Sequence, residues 1–263
     1  MLRNANTLSV LILSILLLSF TYIETPNPLD EEHRKMQFTN LREQNAYDES
    51  IDSIDNWLLS KNISITNYEI LIRAFKKEEQ LEVWIKNKNV DTFSWLKTYK
   101  ICLTSGFLGP KRKQGDKQIP EGVYYINEFN PSSNYHLSMG LNYPNKADSI
   151  LGLWGNWGGD IYIHGGCESI GCLPITTRKI KGLYVLALQA RYFGQKRIPV
   201  QVFPCKLSRE NYKAITQAYN NPKLSKFWGS LRSLYDYFER THTLPTMKID
   251  VDGKYYFFAN TTR

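Results

Sequence analysis

The feature that most limits the fold of this chain is a change in hydrophobic period that begins at Tyr68. From there on, β-branched and aromatic residues recur in short runs with a period of two, which is typical of β-strands. The predicted strands are residues 70–75, 81–85, 96–104, 123–126, 135–139, 161–164 and 200–203. Short strands at this spacing favour an antiparallel β-sandwich or an open barrel over a sheet of alternating βαβ units.

Helical spacing of apolar residues occurs on both sides of and within this strand-rich stretch. A short amphipathic helix is predicted over Glu49–Leu59, with the role of covering an edge of the sheet. A further helix is predicted at Thr177–Ala190, and the tail Ser208–Arg240 is predicted to be helical, with aromatic residues that suit core packing. The fold class is therefore mainly β, of the α+β type, with a helical C-terminal extension.

The N-terminus predicts export. Leu8–Phe20 is almost entirely apolar and follows Arg3, which matches the length and charge of a signal peptide better than a membrane span. No clear small-x-small cleavage motif follows, so an uncleaved membrane anchor is the open alternative. The predicted segments are a signal peptide or anchor (1–23), a linker with a short helix (24–67), a strand-rich domain (68–204) and a mainly helical extension (205–263).

The net charge restricts the partners. The 263 residues carry a formal charge of +8, which favours anionic partners. The sequence has neither a long Lys/Arg run nor a nucleic-acid-binding motif, so nucleic acid is not a predicted partner. A polymer that carries carboxylates, such as cell-wall material, is compatible with this charge.

The segment from His164 to Cys172 carries the strongest chemical signal. An apolar, β-branched run ends at the histidine, and a glycine-rich loop then closes on Gly171 and Cys172. A nearby imidazole can convert a thiol to the nucleophilic thiolate. The amides of Gly171 and Cys172 are candidates to face a developing oxyanion. The pattern predicts a cysteine acyl-transfer site.

Other interpretations of the cysteines stay open. Cys167 and Cys172 have the spacing of a small disulfide, which would also permit redox control in an oxidising envelope. His164 and these two cysteines are zinc-ligand types, although no second cluster completes a site. Both cysteines also suit burial as small apolar side chains. Elsewhere, Cys102 and Cys205 are able to pair, since connectivity cannot be read from a sequence.

The same segment resembles the signature of the L,D-transpeptidase (YkuD-type) catalytic domain of bacterial cell-wall enzymes. In that family a His-Gly pair after a strand and a later Ser-x-Gly-Cys carry the chemistry, and here these are His164-Gly165 and Ser169-Ile170-Gly171-Cys172. The compact spacing is closer to the YafK-like branch. The loop Leu108–Asp116, the motif Pro120–Gly122 and C-terminal aromatic residues are also similar to that branch, so the resemblance runs from about residue 68 to residue 258.

Two positions depart from the wider family. Many members have a second histidine directly before the Gly-Cys pair and an arginine shortly after it, where this chain has Ile170 and then Leu173-Pro174. The YafK-like branch lacks both features and is associated with hydrolysis at the peptidoglycan–lipoprotein linkage as well as with the name of transpeptidase. The departures therefore weaken the interpretation as a cross-linking enzyme more than the interpretation as a cysteine acyl enzyme.

The resemblance implies a YkuD-like β-sandwich or open barrel with a helix near the active site. It implies Cys172 as the nucleophile, His164 as proton acceptor and donor, Gly171 as a backbone oxyanion donor and Ser169 as support for the loop. The implied reaction is attack on the L–D amide of peptidoglycan stem peptides in cell-wall biogenesis or remodelling, without a metal or organic cofactor. The alternatives are a hydrolase of stem or peptidoglycan–lipoprotein linkages and a non-catalytic peptidoglycan-binding envelope protein.

Three further residues are predicted to bind substrate. Lys111 and Arg112 are candidates to recognise a stem-peptide carboxylate, although a solvated basic turn is the alternative interpretation. Gly165 is predicted to let the substrate approach the backbone closely. The predicted partners are thus peptidoglycan stem peptides and, in addition, a wall-linked protein.

Overall fold

The computed structural model describes Phe38 and residues 40–259. The predicted export segment, residues 1–23, and residues 24–37 and 39 of the predicted linker lie outside the described residues. Over the described range, none of the helices combines the length and the apolar composition that a bilayer crossing requires.

Eight strands form the main sheet: β1 (Tyr68–Phe75), β2 (Gln80–Asn87), β3 (Ser94–Lys100), β4 (Gly122–Asn130), β5 (Ser138–Leu141), β6 (Tyr162–His164), β7 (Leu173–Pro174) and β8 (Ile198–Phe203). Their spatial order is β3-β2-β1-β8-β4-β5-β6-β7 in one curled, mixed sheet. The predicted α+β class and open-barrel form are confirmed. Purely antiparallel pairing is wrong for two pairs, because β1 runs parallel to β8 and β6 runs parallel to β7.

In the described part of the chain, five helices surround this sheet: α1 (Leu41–Leu59), α2 (Lys146–Leu151), α3 (Thr177–Tyr192), α4 (Arg209–Tyr219) and α5 (Pro222–Thr241). α1 is longer than predicted, since the Asn40 side chain caps it by accepting a hydrogen bond from the Arg42 amide. It packs on α3 rather than over a sheet edge, so that predicted role is wrong. At Gly182 of α3 an added Cβ would lie 3.5 Å from the Trp57 ring, an ordinary contact distance, so the two helices are in direct contact here.

Strand β1 is buried on both faces, which explains its nearly continuous apolar sequence. Ile70 and Ile72 belong to the core that includes α3. Leu71 and Phe75 face the other way and belong to clusters formed with α5. The C-terminal helices therefore cover the second face of the sheet and are part of the same fold.

The C-terminal extension also contains a hairpin that the sequence analysis did not predict. Its strands are β9 (Thr246–Ile249) and β10 (Tyr255–Phe258). Tyr255 is buried, and Asn145 at the start of α2 donates a hydrogen bond to its hydroxyl group (2.8 Å). The hairpin is thereby attached to the strand-rich part of the chain.

A buried ion pair braces the loop between β3 and β4. The Lys76 ammonium donates to Glu121 Oε1 (2.9 Å) and to three carbonyl groups of this loop. The Trp228 indole of α5 donates to Glu121 Oε2 (2.7 Å). Since both charged side chains are almost fully buried, these bonds fix the loop between β1 and α5.

Candidate active site

The histidine and the cysteine singled out in the sequence lie at neighbouring strands. His164 pairs with Pro174 in the parallel register of β6 and β7. Cys172 precedes Pro174 by two residues and lies beside Tyr162, whose N–H donates to the Cys172 Sγ atom (3.4 Å). Because Cys172 directly precedes β7, which pairs with the strand that ends at His164, the two residues lie at the same strand pair.

The His164 ring is almost completely buried. Its Nδ1 atom contacts the Gly165 carbonyl oxygen, which can only accept, so in the neutral ring Nδ1 carries the hydrogen and Nε2 keeps the lone pair. The Tyr135 ring is stacked on the imidazole, with 4.5 Å between ring centroids. Burial lowers the pKa of His164 below its ordinary value. The imidazole is therefore neutral at neutral pH and able to accept a proton at Nε2.

The Cys172 thiol lies in a partly enclosed position. It accepts from the Tyr162 N–H and donates to the Asp160 carbonyl oxygen (3.4 Å). Burial raises the pKa of the thiol above its ordinary value, an effect that the Tyr162 hydrogen bond and the Lys111 charge only partly oppose. Among the described residues, no hydrogen bond joins this thiol to the His164 ring, so the resting site holds a neutral thiol turned toward Asp160.

The loop before the nucleophile is held by Ser169. Its hydroxyl donates to the Cys172 carbonyl oxygen (2.8 Å) and accepts from the Gly171 N–H (3.2 Å). Gly171 has φ +143°, a backbone conformation that favours glycine. Because its N–H already binds Ser169, the oxyanion role of Gly171 stays a prediction and requires this hydrogen bond to open. The Cys172 N–H is the other candidate donor.

The disulfide differs from the two pairings that the sequence left open. Cys102 is bonded to Cys167, so neither a Cys102–Cys205 nor a Cys167–Cys172 bond is formed. The reason is the path of the chain after β3. The Cys102 N–H donates to the Pro174 carbonyl oxygen, and this contact places Cys102 beside the glycine-rich loop that contains Cys167. Cys172 and Cys205 are free thiols. Cys167 is therefore unable to act as a zinc ligand or as a disulfide partner of the nucleophile.

The basic residues predicted to bind substrate are engaged within the chain. The buried Lys111 ammonium pairs with Asp116 (2.7 Å) and also donates to a loop carbonyl. Arg112 pairs with Asp148 (3.0 Å) and remains partly exposed. Burial raises the pKa of Asp148 to about 6, an effect that the Arg112 charge opposes. These contacts order the loop, and carboxylate binding by the two residues stays a prediction.

Gly165 lies under another segment of the chain. An added Cβ would lie 2.5 Å from the Tyr135 carbonyl oxygen, so the glycine permits close approach of this loop. The position is thus explained by packing, and its predicted contact with substrate stays a prediction.

Two residues at this site were not identified from the sequence. Tyr135 was assigned to a strand, but the strand begins at Ser138, and His136 has φ +78°, which ends regular pairing. Asp160 contributes only a backbone carbonyl group, for which a sequence carries no signal. The adjacent pair Gly158-Gly159 was the one hint of an irregular backbone there.

The raised pKa of Cys172 predicts how its alkylation depends on pH. A raised thiol pKa means that the thiolate fraction keeps growing as the pH rises. We expect the rate of iodoacetamide modification of Cys172 to increase through pH 9 without a plateau. Peptide mapping by mass spectrometry between pH 6 and 10 measures it, with the unfolded chain as the reference of ordinary pKa. A plateau below pH 8 would instead reveal a thiolate–imidazolium ion pair.

The disulfide predicts sensitivity to reduction. Cys102 and Cys167 are 65 residues apart, and closing a loop of this size stabilises a fold by about 2–4 kcal/mol. Reduction should lower the free energy of unfolding, measured in urea, by this amount. The Cys102→Ser/Cys167→Ser variant is the control, since its stability should not respond to the reductant. Equal stability of the oxidised and reduced wild type would contradict the expectation.

Known proteins are similar to this chain over its strand-rich part, which contains the site. The family model "L,D-transpeptidase catalytic domain" matches residues 68–202. A curated protein of Escherichia coli K12 named "Putative L,D-transpeptidase YafK" is 36% identical over 188 residues, which is 71% of this chain and 72% of that protein.

Two solved structures show more distant similarity. The helical cell shape determining protein Pgp2 from Campylobacter jejuni is 17% identical, with 74% of this chain and 80% of that chain covered and a TM-score of 0.43. Bd1075 from Bdellovibrio bacteriovorus is 20% identical, with coverage of 66% and 64% and a TM-score of 0.39.

Proposed function

Because the chain belongs to the L,D-transpeptidase (YkuD) catalytic-domain family, we propose that it is a peptidoglycan-acting cysteine acyl enzyme that attacks the L–D amide of stem peptides. The observation that supports this proposal is that His164 ends β6 and Cys172 directly precedes its partner strand β7, beside a glycine-rich loop. A free thiol, a neutral imidazole and backbone amides are the groups that acyl transfer requires.

The first half of the reaction forms a thioester. After the thiol turns from the Asp160 carbonyl toward the imidazole, His164 Nε2 accepts its proton and the sulfur attacks the amide carbonyl carbon. The Cys172 N–H stabilises the oxyanion, and loss of one such donor costs about 2.7–4 kcal/mol. The carbon–nitrogen bond then breaks, and His164 returns its proton to the departing amine.

The second half releases the acyl group. An amine of a second stem peptide or of a wall-linked protein attacks the thioester and gives a new amide, with its proton taken by His164. The sulfur leaves as thiolate and is reprotonated. This route is transpeptidation, and it requires an acceptor amine to reach the thioester before water does.

Hydrolysis is the second candidate, and the residues around the nucleophile favour it. Ile170 occupies the position where many family members have histidine, and its side chain is 75% exposed. Leu173-Pro174 occupies the position of the family's arginine. Without these polar groups an acceptor chain has fewer anchoring contacts, so water competes for the thioester.

An exported location is part of the proposal. The Cys102–Cys167 disulfide supports it, since disulfides persist in oxidising compartments such as the periplasm. The peptidoglycan substrate lies in the same compartment. Retention on the inner membrane by the N-terminal apolar run is the alternative to a cleaved signal peptide.

Mass spectrometry of peptides released from purified sacculi tests the proposal. New diamino-acid cross-links that depend on Cys172 would establish transpeptidation, whereas new tripeptide ends or a released wall-linked protein would establish hydrolysis. The Cys172→Ala variant is the matched control. If sacculi bind equally to both forms and no linkage changes, the chain is a peptidoglycan-binding protein and the proposed chemistry is wrong.

A further inference from the structure

A cleft of about 600 Å³ lies outside the β6–β7 site. It is formed by the loop before β4, the first turns of α5 and the turn of the β9–β10 hairpin. Its floor is apolar and includes Leu108, Leu224 and Phe227, and four cationic side chains contribute to its lining: Arg112, Lys223, Lys226 and Lys254. A cleft of this size and character is large enough for a short peptide.

The cleft shares a wall with the nucleophile loop. Gln118 lines the cleft, and its backbone carbonyl oxygen lies 3.1 Å from the position that a Cβ of Gly171 would occupy. Gly171 directly precedes Cys172. A chain bound in the cleft would therefore lie next to the loop that presents the thiol.

The cationic groups of the cleft are incompletely neutralised. Lys223 and Lys226 are exposed in the first two turns of α5, where the helix dipole adds positive potential. Within the described part of the chain, neither lysine forms an ion pair. Asp250 and Asp252 of the hairpin turn also line the cleft, and the Asp250 carboxylate accepts backbone N–H groups of its own turn. The α5 side of the cleft is thus suited to a ligand that carries carboxylates.

The walls of the cleft are held in place by the fold. The loop before β4 is braced by the bonds of Glu121 to Lys76 and Trp228. Arg112 pairs with Asp148 and lies over the Phe227 ring at 5.1 Å. A preformed site binds with little loss of conformational entropy in the protein.

We propose that this cleft binds an acidic peptide segment of the wall substrate, with carboxylates at Lys223 and Lys226 and apolar groups on the floor at Leu224 and Phe227. The inference rests on the proposed function, because stem peptides are the carboxylate-bearing chains that such an enzyme meets. It assigns the C-terminal helices a role in holding the peptide whose linkage is cut or formed at Cys172.

Isothermal titration of the full chain with a stem tetrapeptide (L-Ala, D-Glu, diaminopimelate, D-Ala) tests this site. The Cys172→Ala background prevents turnover. In low salt, the Lys223→Glu/Lys226→Glu variant should raise the Kd about fivefold or more, because two attractive contacts become repulsive. The control Lys213→Glu makes the same change at an exposed lysine of α4 and should leave the Kd within about twofold. A tetra-alanine peptide with blocked ends should bind at least about fivefold more weakly than the stem tetrapeptide.

Three results would overturn the site: a Kd that the double variant leaves unchanged, equal binding of the tetra-alanine peptide, or no binding of the stem tetrapeptide at millimolar concentration. Acylation of Cys172 by a small electrophile is measured separately in the wild-type background, since it does not require the cleft. Loss of acylation would count against the proposed function, whereas loss of the lysine dependence counts against the cleft alone.

Discussion

Replacement of Cys172 by alanine is expected to abolish turnover of sacculi, with a loss on the order of 10³-fold or more. The proposed thioester cannot form without the sulfur atom, and the other free thiol of the described residues, Cys205, is buried in the cluster formed with α5. The fold should be unchanged, because only a small loop side chain is removed. Muropeptide analysis measures the activity, and circular dichroism on heating measures the fold.

The matched control for this substitution is Cys205→Ala. Burial raises the pKa of the Cys205 thiol to about 12, so this thiol is unreactive at neutral pH. Cys205 also lies in the apolar cluster formed with α5 and not at the β6–β7 site. Activity per folded molecule should equal that of the wild type. Substantial turnover by folded Cys172→Ala protein would remove the residue from the nucleophile role.

The Glu121→Ala substitution is expected to cost about 3–5 kcal/mol of the free energy of unfolding. It would leave the buried Lys76 ammonium without its counter-charge, and breaking a buried pair from one side has a cost of this size. The Trp228 indole and a loop amide would also lose their acceptor. Urea unfolding followed by tryptophan fluorescence measures the change.

Glu128→Ala provides the comparison for this effect. Glu128 lies on the same strand region but is exposed, so its removal should change the free energy of unfolding by less than about 0.5 kcal/mol. Equal effects of the two substitutions would show that the Lys76–Glu121 pair does not brace the fold.

The strands and the main helices could be predicted because their signals are local. A period of two identified the positions of β1, β2 and β4, and the helical pattern identified α3. The parallel β1–β8 pair could not be predicted, since its partners are more than a hundred residues apart and a local pattern carries no record of register. The β9–β10 hairpin was missed because its two strands are only four residues long.

The reactive pair could be identified because the chemistry and the spacing lie within nine residues, from His164 to Cys172. The Cys102–Cys167 bond could not, because it depends on where the chain after β3 returns in three dimensions. The same limit applies to Tyr135, whose ring covers His164 from a loop that the pattern assigned to a strand. The cleft beside α5 needed three distant segments to be brought together.

Intact-protein mass spectrometry with a carbapenem tests the central claim most directly. A β-lactam ring is opened by a nucleophilic thiol without a leaving group, so the acylated chain gains the mass of the whole carbapenem. The account predicts one adduct on the peptide that contains Cys172 and none in the Cys172→Ala variant. A folded wild-type chain that remains unmodified, or an adduct on a different residue, would contradict the assignment of Cys172 as the acyl-accepting nucleophile.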